Sequence, residues 1–381
     1  MYVHSIHAYI DIYRFNETTA VTGVIAMGNK QVAALIETYE KRNQTKLRMK
    51  GKKSTLLMRR SYDENRQLLI ELLIQHGQVN LQDNDGWSAL MVASLKGHIA
   101  VVRLLCEYGA QVNQQNSSGW SALMKASQNG YSEIVKQLCK FGAQANLQNN
   151  EGVSALMLAS QNGHAEVVKL LCECGAQVDL QRKKGLSALM VASNNGHTEV
   201  IKLLCEHGAQ VDLQKDNGLS ALMVASHEGH TEVVKVLHEY GAQIDLQKND
   251  GWSALMLASH KGHTNVVKLL SEFGAQVNLQ TSNGSSALIV ASQKGCTEVV
   301  KLLCQHGARI DLQNNGGLSA LTIANKHGHT KLANLLQNLV QTELVQELCD
   351  TTSFELQSLS EEAKVSIMCC LLIVAYTCAC T

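Results

Sequence analysis

Apolar residues recur along this chain with the spacing of short helices. The apolar run 89–93 follows Ser88 and ends before Gly97, and a second stripe, with apolar residues at i, i+3 and i+4, spans residues 101–105. Ser88 is a good helix N-cap, and Gly97 can adopt the positive φ that reverses a chain. The pattern therefore predicts two short helices joined at Gly97, the second ending at Gly109.

This helix pair recurs every 33 residues. The first glycine of each unit is Gly86, Gly119, Gly152, Gly185, Gly218, Gly251, Gly284 or Gly317. Eight such units begin between residues 83 and 339, the last one shorter than 33 residues, and they are called repeats 1 to 8 here, with Asp83 as the first residue of repeat 1. One unit buries too little surface to fold alone, so we expect a stacked array with one continuous core.

The recurring motifs are G-x-S-A-L-M, the G-H turn as in Gly163-His164, V-V-K-L-L and G-A-x-V-N/D. They resemble the ankyrin repeat family from Asp83 to about Leu339. The resemblance implies an all-α, ankyrin-type helix-pair solenoid with short β-turn or hairpin tips. Ankyrin repeats usually carry Thr-Pro-Leu-His where this chain mostly has Ser-Ala-Leu-Met, so their Thr–His hydrogen bond cannot form. We expect Met91 and its equivalents to pack as apolar core residues instead.

The segments outside the eight repeats are less regular. Residues 1–50 contain either a degenerate ankyrin repeat or a basic, disordered lead-in, and residues 51–82 match a degenerate capping repeat. Residues 340–364 are predicted to form a polar C-terminal helix or cap. The uncharged, cysteine-rich tail 365–381 would span ~25 Å as a helix, short of the ~30 Å hydrocarbon core of a membrane. It is therefore either a membrane anchor or an end that packs on the last repeat.

The composition of the chain and its N-terminal sequence exclude several classes of protein. Lys+Arg and Asp+Glu number 33 each, so no net charge attracts the chain to nucleic acid or to an anionic membrane. The N-terminus lacks the charged start and unbroken apolar run of a secretory signal, which predicts a cytoplasmic protein. Proline is absent, so proline-rich linkers are excluded.

The cysteines follow the repeat period. One position is occupied by Cys106, Cys139, Cys172, Cys205 and Cys304. Packed helix layers lie ~8–10 Å apart, whereas a disulfide needs Cα atoms within ~7 Å. The spacing predicts unpaired, buried thiols in a reducing compartment.

Recurring histidines could suggest a metal or catalytic site, and recurring lysines could suggest a nucleic-acid-binding surface. His98 and its equivalents follow the glycine between the two helices, but Tyr131 and Cys296 replace them in two repeats, which favours a turn residue that bonds locally to the backbone. Five lysines of the second helices each follow a glutamate by three residues, so this row is electrically cancelled: Lys136, Lys169, Lys202, Lys235 and Lys301. No zinc-ligand spacing, phosphate-binding loop or nucleophile elbow is present. We predict no metal, no cofactor, no small-molecule substrate, no nucleic acid and no enzymatic activity.

The positions that vary between repeats are the candidates for recognition. In arrays of this type the turn tips and first helices line a concave groove, and all three tryptophans of the chain occupy one tip position. The alternative is that this position only packs tip against tip. Lys125 stands where other repeats carry Val, Leu or Ile and adds a charge beside Trp87 and Trp120, which favours an acidic residue in the partner. The predicted partner-binding residues are Trp87, Val92, Leu95, Lys96, Trp120, Lys125, Gln128, Asn129, Gln161, Asn162, His227, Glu228, Trp252, His260 and Lys261.

The sequence therefore predicts an interaction scaffold or adaptor that holds a protein partner in the groove of a solenoid. The second hypothesis is a tail-anchored adaptor that presents the same groove at a membrane surface through residues 365–381. The third, an enzyme with a hidden active site, has no supporting residues.

Overall fold

The computed structural model describes residues 79–342 of the chain. The segments 1–78 and 343–381, with the predicted upstream repeats and the apolar tail, lie outside the described residues. The helices are α1 Ala89–Lys96, α2 Ile99–Glu107, α3 Ala122–Gln128, α4 Ser132–Lys140, α5 Ala155–Gln161, α6 Ala165–Glu173, α7 Ala188–Asn195, α8 Thr198–Glu206, α9 Ala221–Glu228, α10 Thr231–Glu239, α11 Ala254–Lys261, α12 Thr264–Glu272, α13 Ala287–Lys294, α14 Thr297–Gln305, α15 Ala320–Lys326 and α16, residues 330–342. None of the helices in this part of the chain is long and apolar enough to cross a membrane.

The first helix of each repeat has the ends that its sequence predicts. The Ser88 hydroxyl accepts a hydrogen bond from the Met91 amide at 3.3 Å, which satisfies one of the free N–H groups at the start of α1. The helix ends at Gly97, where φ is 83°, and the Gly97 amide donates to the Ala93 carbonyl. In repeats 2 and 3 the first helix ends one residue earlier, at Gln128 and Gln161.

The tips also match the expected turn and hairpin character. A single antiparallel bridge closes the tip of repeat 1, between Gln82 and Ser88, and the same bridge recurs in repeats 2, 3, 6, 7 and 8. Repeat 4 differs, because its tip forms a 3-10 turn over Lys183–Gly185 and holds Lys184 at φ 70°.

The core is apolar, and methionine contributes to it as expected. Met91, Met124, Met190 and Met256 are each 1% exposed, so the residue that replaces the family's histidine lies in the interior. The second helices contribute their valines and leucines, as Val101 and Leu105 do in α2, where both are fully buried. These residues form one continuous cluster through all eight repeats.

Successive first helices contact one another more extensively than successive second helices do. The side chains between successive first helices are small, which lets these helices pack closely. Ala93 and Ser94, for example, are both fully buried. Closer spacing on one side makes a stack of layers curve toward that side. The first helices therefore lie on the inner side of the curve, and their solvent-facing side, together with the tips, is called the inner face below.

Side-chain amides also join each repeat to the next. The Gln82 Nε2 donates to the Gln115 carbonyl at 3.0 Å, and the same bond recurs through Gln280. Two residues before Gln82, the Asn80 Oδ1 accepts a hydrogen bond from the Gln111 backbone amide at 2.6 Å. The aspartate at the equivalent position of later repeats accepts in the same way, as Asp179 does from Gln210 at 2.9 Å.

The histidines that follow the G-H glycines bond to backbone, but the prediction of a local bond was wrong. The His197 Nε2 lies 3.0 Å from the Gln161 carbonyl, which belongs to the preceding repeat. Its ring packs on Gly163, whose missing side chain leaves the space, and His164, His230, His263 and His329 make equivalent contacts.

This contact predicts unequal effects of two similar substitutions. Both Gly163 and Gly175 have a positive φ, at 74° and 83°, so alanine costs about 1 kcal/mol of backbone strain at either position. A Cβ on Gly163 would also lie 2.7 Å from the His197 ring nitrogen, whereas a Cβ on Gly175 would meet nothing within 4 Å. We expect Gly163→Ala to lower the free energy of unfolding by about 1–3 kcal/mol more than Gly175→Ala, measured by chemical denaturation. Equal losses would show that the imidazole moves aside freely.

One cysteine departs from the prediction of unpaired thiols. Cys139 forms a disulfide with Cys174, with the two Cα atoms 6.2 Å apart. The spacing argument compared cysteines at equivalent positions, but Cys174 stands two residues past the equivalent position in the next repeat, where the helix end brings it closer. Among the remaining cysteines of that register, Cys106 is buried, whereas Cys172, Cys205 and Cys304 are only half-buried.

Candidate partner-binding surface

All the predicted partner-binding residues lie on the first helices, at the C-caps of these helices or on the tips before them. The half-buried ones are Trp87, Val92, Leu95, Lys96, Trp120, Lys125, Gln128, His227, Trp252 and His260. The exposed ones are Asn129, Gln161, Asn162, Glu228 and Lys261. The array therefore presents these side chains on its inner face, but only some of them touch one another.

The first group that the fold brings together is the tryptophan–lysine cluster, defined as Trp87, Trp120, Lys125 and Gln128. The Lys125 Nζ lies 3.3 Å from the centroid of the Trp120 ring and 5.8 Å from that of Trp87. It also donates to the Gln128 Oε1 at 3.3 Å. One ammonium group thus contacts aromatic rings from two consecutive repeats, an attraction worth about 0.5–2 kcal/mol per ring according to its exposure.

The tips hold both tryptophans in place. The Trp87 amide donates to the Asp83 Oδ1 at 2.8 Å, and the Trp120 amide makes the same bond to Asn116. The tips are also bonded to each other, since the Ser117 amide donates to the Asp85 carbonyl at 3.0 Å. Because turn residues bonded in this way have little freedom, the two rings have a fixed backbone support.

Lys125 has cation–π contacts but no carboxylate beside it among the described residues. Burial lowers the pKa of its ammonium group from 10.5 to about 8. The other first helices carry an aliphatic residue at this position, such as Leu158 in α5. The repeat therefore keeps a half-buried charge where the fold itself requires only an apolar side chain.

The lowered pKa predicts how stability depends on pH. Below about pH 8 the lysine is protonated in both the folded and the unfolded chain, and between about 8 and 10.5 the unfolded chain holds more protons. The free energy of unfolding should therefore rise with pH across this window, and Lys125→Leu should remove this rise. Denaturation of both proteins at pH 7 to 10 measures the difference. Parallel curves would contradict the lowered pKa.

A second group, the tryptophan–histidine cluster, consists of Trp252, His260, Lys261 and Lys294. The His260 ring meets the Trp252 ring edge-on, with centroids 5.5 Å apart, and its buried Nδ1 has no hydrogen-bond partner. Burial lowers the pKa of His260, and the nearby charges of Lys294, Lys261 and His227 lower it further. Lysines from two consecutive repeats, Lys261 and Lys294, therefore lie near this histidine.

Between the two clusters the first helices carry one carboxylate, Glu228 of α9, and no lysine or arginine. Neither α5 nor α7 contains a charged residue. Their polar side chains bond to the backbone of their own or the preceding helix, as Asn162 does to the Leu158 carbonyl and Asn195 to that of Gln161. In α9 the single carboxylate, Glu228, pairs with His227 at 2.6 Å.

The prediction from sequence included all four members of the tryptophan–lysine cluster but was incomplete for the second cluster. Lys294 was not among the predicted residues, although it occupies in repeat 7 the position of Lys261 in repeat 6, and that register was the available signal. The expected position of Lys125 beside Trp87 and Trp120 is confirmed by its contacts with both rings. No group of three or more potential ligand side chains is placed to hold a metal ion within residues 79–342.

The family comparison agrees with this architecture. A family model for ankyrin repeats in three copies matches residues 23–116, 110–182, 174–248 and 240–314. The chain belongs to the ankyrin repeat family. No curated protein matches this ankyrin repeat chain. Ankyrin repeats generally act as protein–protein interaction modules, so the family assigns this one the same broad role.

Proposed function

We propose that this ankyrin repeat protein is a non-enzymatic scaffold or adaptor that holds a protein partner on its inner face, anchored at the tryptophan–lysine cluster. The cluster supports the proposal because it has the composition of a binding hot spot, with two half-exposed indole rings around one cation. A further argument is that its lysine occupies a position where the fold needs only an aliphatic residue.

The alternative role for the tryptophan position is tip-to-tip packing. Two repeats fit that role, since Val153 and Ser285 are each 7% exposed there. The tryptophans are not buried between neighbouring tips in this way, because Trp87, Trp120 and Trp252 remain half-exposed. Their outer edges are therefore available to a partner.

The test replaces both rings by the residue that repeats 4 and 5 carry, as Trp87→Leu with Trp120→Leu. The probe is a peptide selected on the full-length protein from a phage library of random 20-residue peptides. We expect the affinity to fall about a hundredfold, with a change in unfolding free energy of about 1 kcal/mol or less. The matched control is Tyr108→Leu with Phe141→Leu, two exposed aromatic residues at the ends of second helices.

The control variant should bind the peptide with unchanged affinity. A double tryptophan variant that melts far lower and still binds the peptide when folded would show that the tip position is structural. The proposed binding surface would then be wrong.

A further inference from the structure

The inner face carries an uneven distribution of charge. Its first helices have the cations Lys96, Lys125, Lys261, Lys294 and Lys326, but Glu228 is their one carboxylate within residues 79–342. The second helices differ, because there lysine and glutamate alternate, and the Lys301 Nζ donates to Glu298 at 2.8 Å. Since the whole chain is neutral, the excess of cations on the first helices is local.

Within residues 79–342, no carboxylate pairs with the lysines of the two clusters. Lys125 contacts two aromatic rings and the Gln128 amide oxygen, none of which carries a full negative charge. Lys261 and Lys294 lie close enough to His260 to lower its pKa. The neighbouring carboxylates are paired with other side chains: Glu228, Asp250 and Glu298. Each cluster therefore combines an aromatic surface with a positive charge that the protein does not neutralise.

The distance between the clusters can be expressed as a length of partner chain. Trp120 and Lys125 belong to repeat 2, whereas Trp252 and His260 belong to repeat 6, four repeats later. At about 10 Å per packed layer, the separation along the inner face is about 40 Å. An extended peptide advances about 3.3 Å per residue, so about 12 residues cover this distance.

We propose that the partner is an extended protein segment with two acidic residues about 12 positions apart, one bound at each cluster. The inference rests on the proposed function and specifies the chemistry of its ligand. Each acidic side chain forms an ion pair with the lysine of its cluster, and an apolar neighbour packs on the adjacent indole ring. The uncharged residues between them lie along α5 and α7, which have no charge to attract or repel them.

A protein segment fits this surface better than a nucleic acid does. A nucleic acid carries evenly spaced phosphates, which would require cations along the whole path. The first helices place Lys125 at one end of this path and Lys261 and Lys294 at the other, and α5 and α7 between them carry no charge. The tips in between carry both signs of charge, as Glu151 and Lys184 show. Two carboxylates at fixed separation match this arrangement.

The experiment selects the random 20-residue peptide library on three forms of the full-length protein. The forms are the wild type, Lys125→Leu, and Lys261→Asn with Lys294→Asn. These substitutions use residues that other repeats carry at the same positions, namely Leu158 and Asn162, so the variants should fold. Circular dichroism and denaturation check this, and Lys125→Arg serves as a variant that keeps the charge.

We expect the wild type and Lys125→Arg to enrich peptides with acidic residues at two places about 12 positions apart. Peptides selected on Lys125→Leu should lack one of the two acidic residues, and peptides selected on the double asparagine variant should lack the other. A wild-type peptide should bind each variant about tenfold more weakly. If it is cut between its acidic residues, each half should bind at least about a hundredfold more weakly than the whole.

The outcomes separate this inference from the proposed function. Peptides that depend on Trp87 and Trp120 but carry no paired acidic residues, or halves that bind as tightly as the whole, would overturn the acidic segment alone. Peptides that ignore the tryptophans would overturn the proposed function. A single-stranded 20-mer oligonucleotide that binds the wild type more tightly than the peptides, and loses binding in the same variants, would replace the protein segment by a nucleic acid.

Discussion

Replacing seven buried serines of the first helices by alanine is expected to raise the free energy of unfolding by about 7 kcal/mol. These residues are fully buried, and their hydroxyl oxygens have no hydrogen-bond partner among the described residues: Ser94, Ser127, Ser160, Ser193, Ser226, Ser259 and Ser292. A buried hydroxyl without a partner costs about 1–3 kcal/mol, and alanine is also the better helix former. About 1 kcal/mol per site is a conservative estimate, and nearest-neighbour arrays sum such terms.

Helix α5 offers an internal control for this prediction. It begins at the N-cap Ser154, whose hydroxyl accepts from the Met157 amide at 3.3 Å, and it also contains Ser160. Ser160→Ala should stabilise the protein by about 1 kcal/mol, whereas Ser154→Ala should destabilise it by a similar amount. Chemical denaturation of the two variants tests the difference in sign. A loss of stability in both would mean that the Ser160 hydroxyl has a partner.

Reducing the bond between Cys139 and Cys174 should lower the free energy of unfolding by about 4 kcal/mol. The bond links residues 35 positions apart, at the ends of α4 and α6. Closing a loop of this length removes conformational entropy from the unfolded chain, which is the main source of the stabilisation. Denaturation with and without a thiol reductant measures the loss.

Two variants make this second prediction specific. Cys139→Ser should match the reduced wild type under both conditions. Cys172→Ser should respond to the reductant as the wild type does, since Cys172 is a free cysteine two residues before Cys174. A wild-type protein whose denaturation midpoint ignores the reductant would show that the bond adds no stability.

The sequence was sufficient for the features that lie within one repeat. Ser88 and Gly97 mark the two ends of α1 because capping depends on residues only a few positions apart. The burial of Met91 followed in the same way, since its helix has one face that packs on the core. Such features depend on residues close together in the sequence, and they recur in all eight repeats because the period is exact.

The sequence did not reveal the bonds that join one repeat to another. His197 bonds to a carbonyl 36 residues earlier, and Cys139 pairs with a cysteine outside its own register. The period defines which residues are equivalent, but contacts between non-equivalent positions depend on the offset between layers. That offset follows from packing and is not visible in the pattern.

The amide ladder has a consequence for changes in the length of the chain. Each glutamine in it, such as Gln148, donates to the carbonyl of the glutamine 33 residues later, here Gln181, and every such pair from Gln82 to Gln313 makes the same bond. Duplication or deletion of a whole repeat leaves the bond intact, because the new neighbours present the same groups. Loss of one residue within a tip shifts a donor away from its acceptor at that interface. Natural variants of this gene should therefore differ in length by multiples of 33, with single-residue gaps confined to the ends of the array.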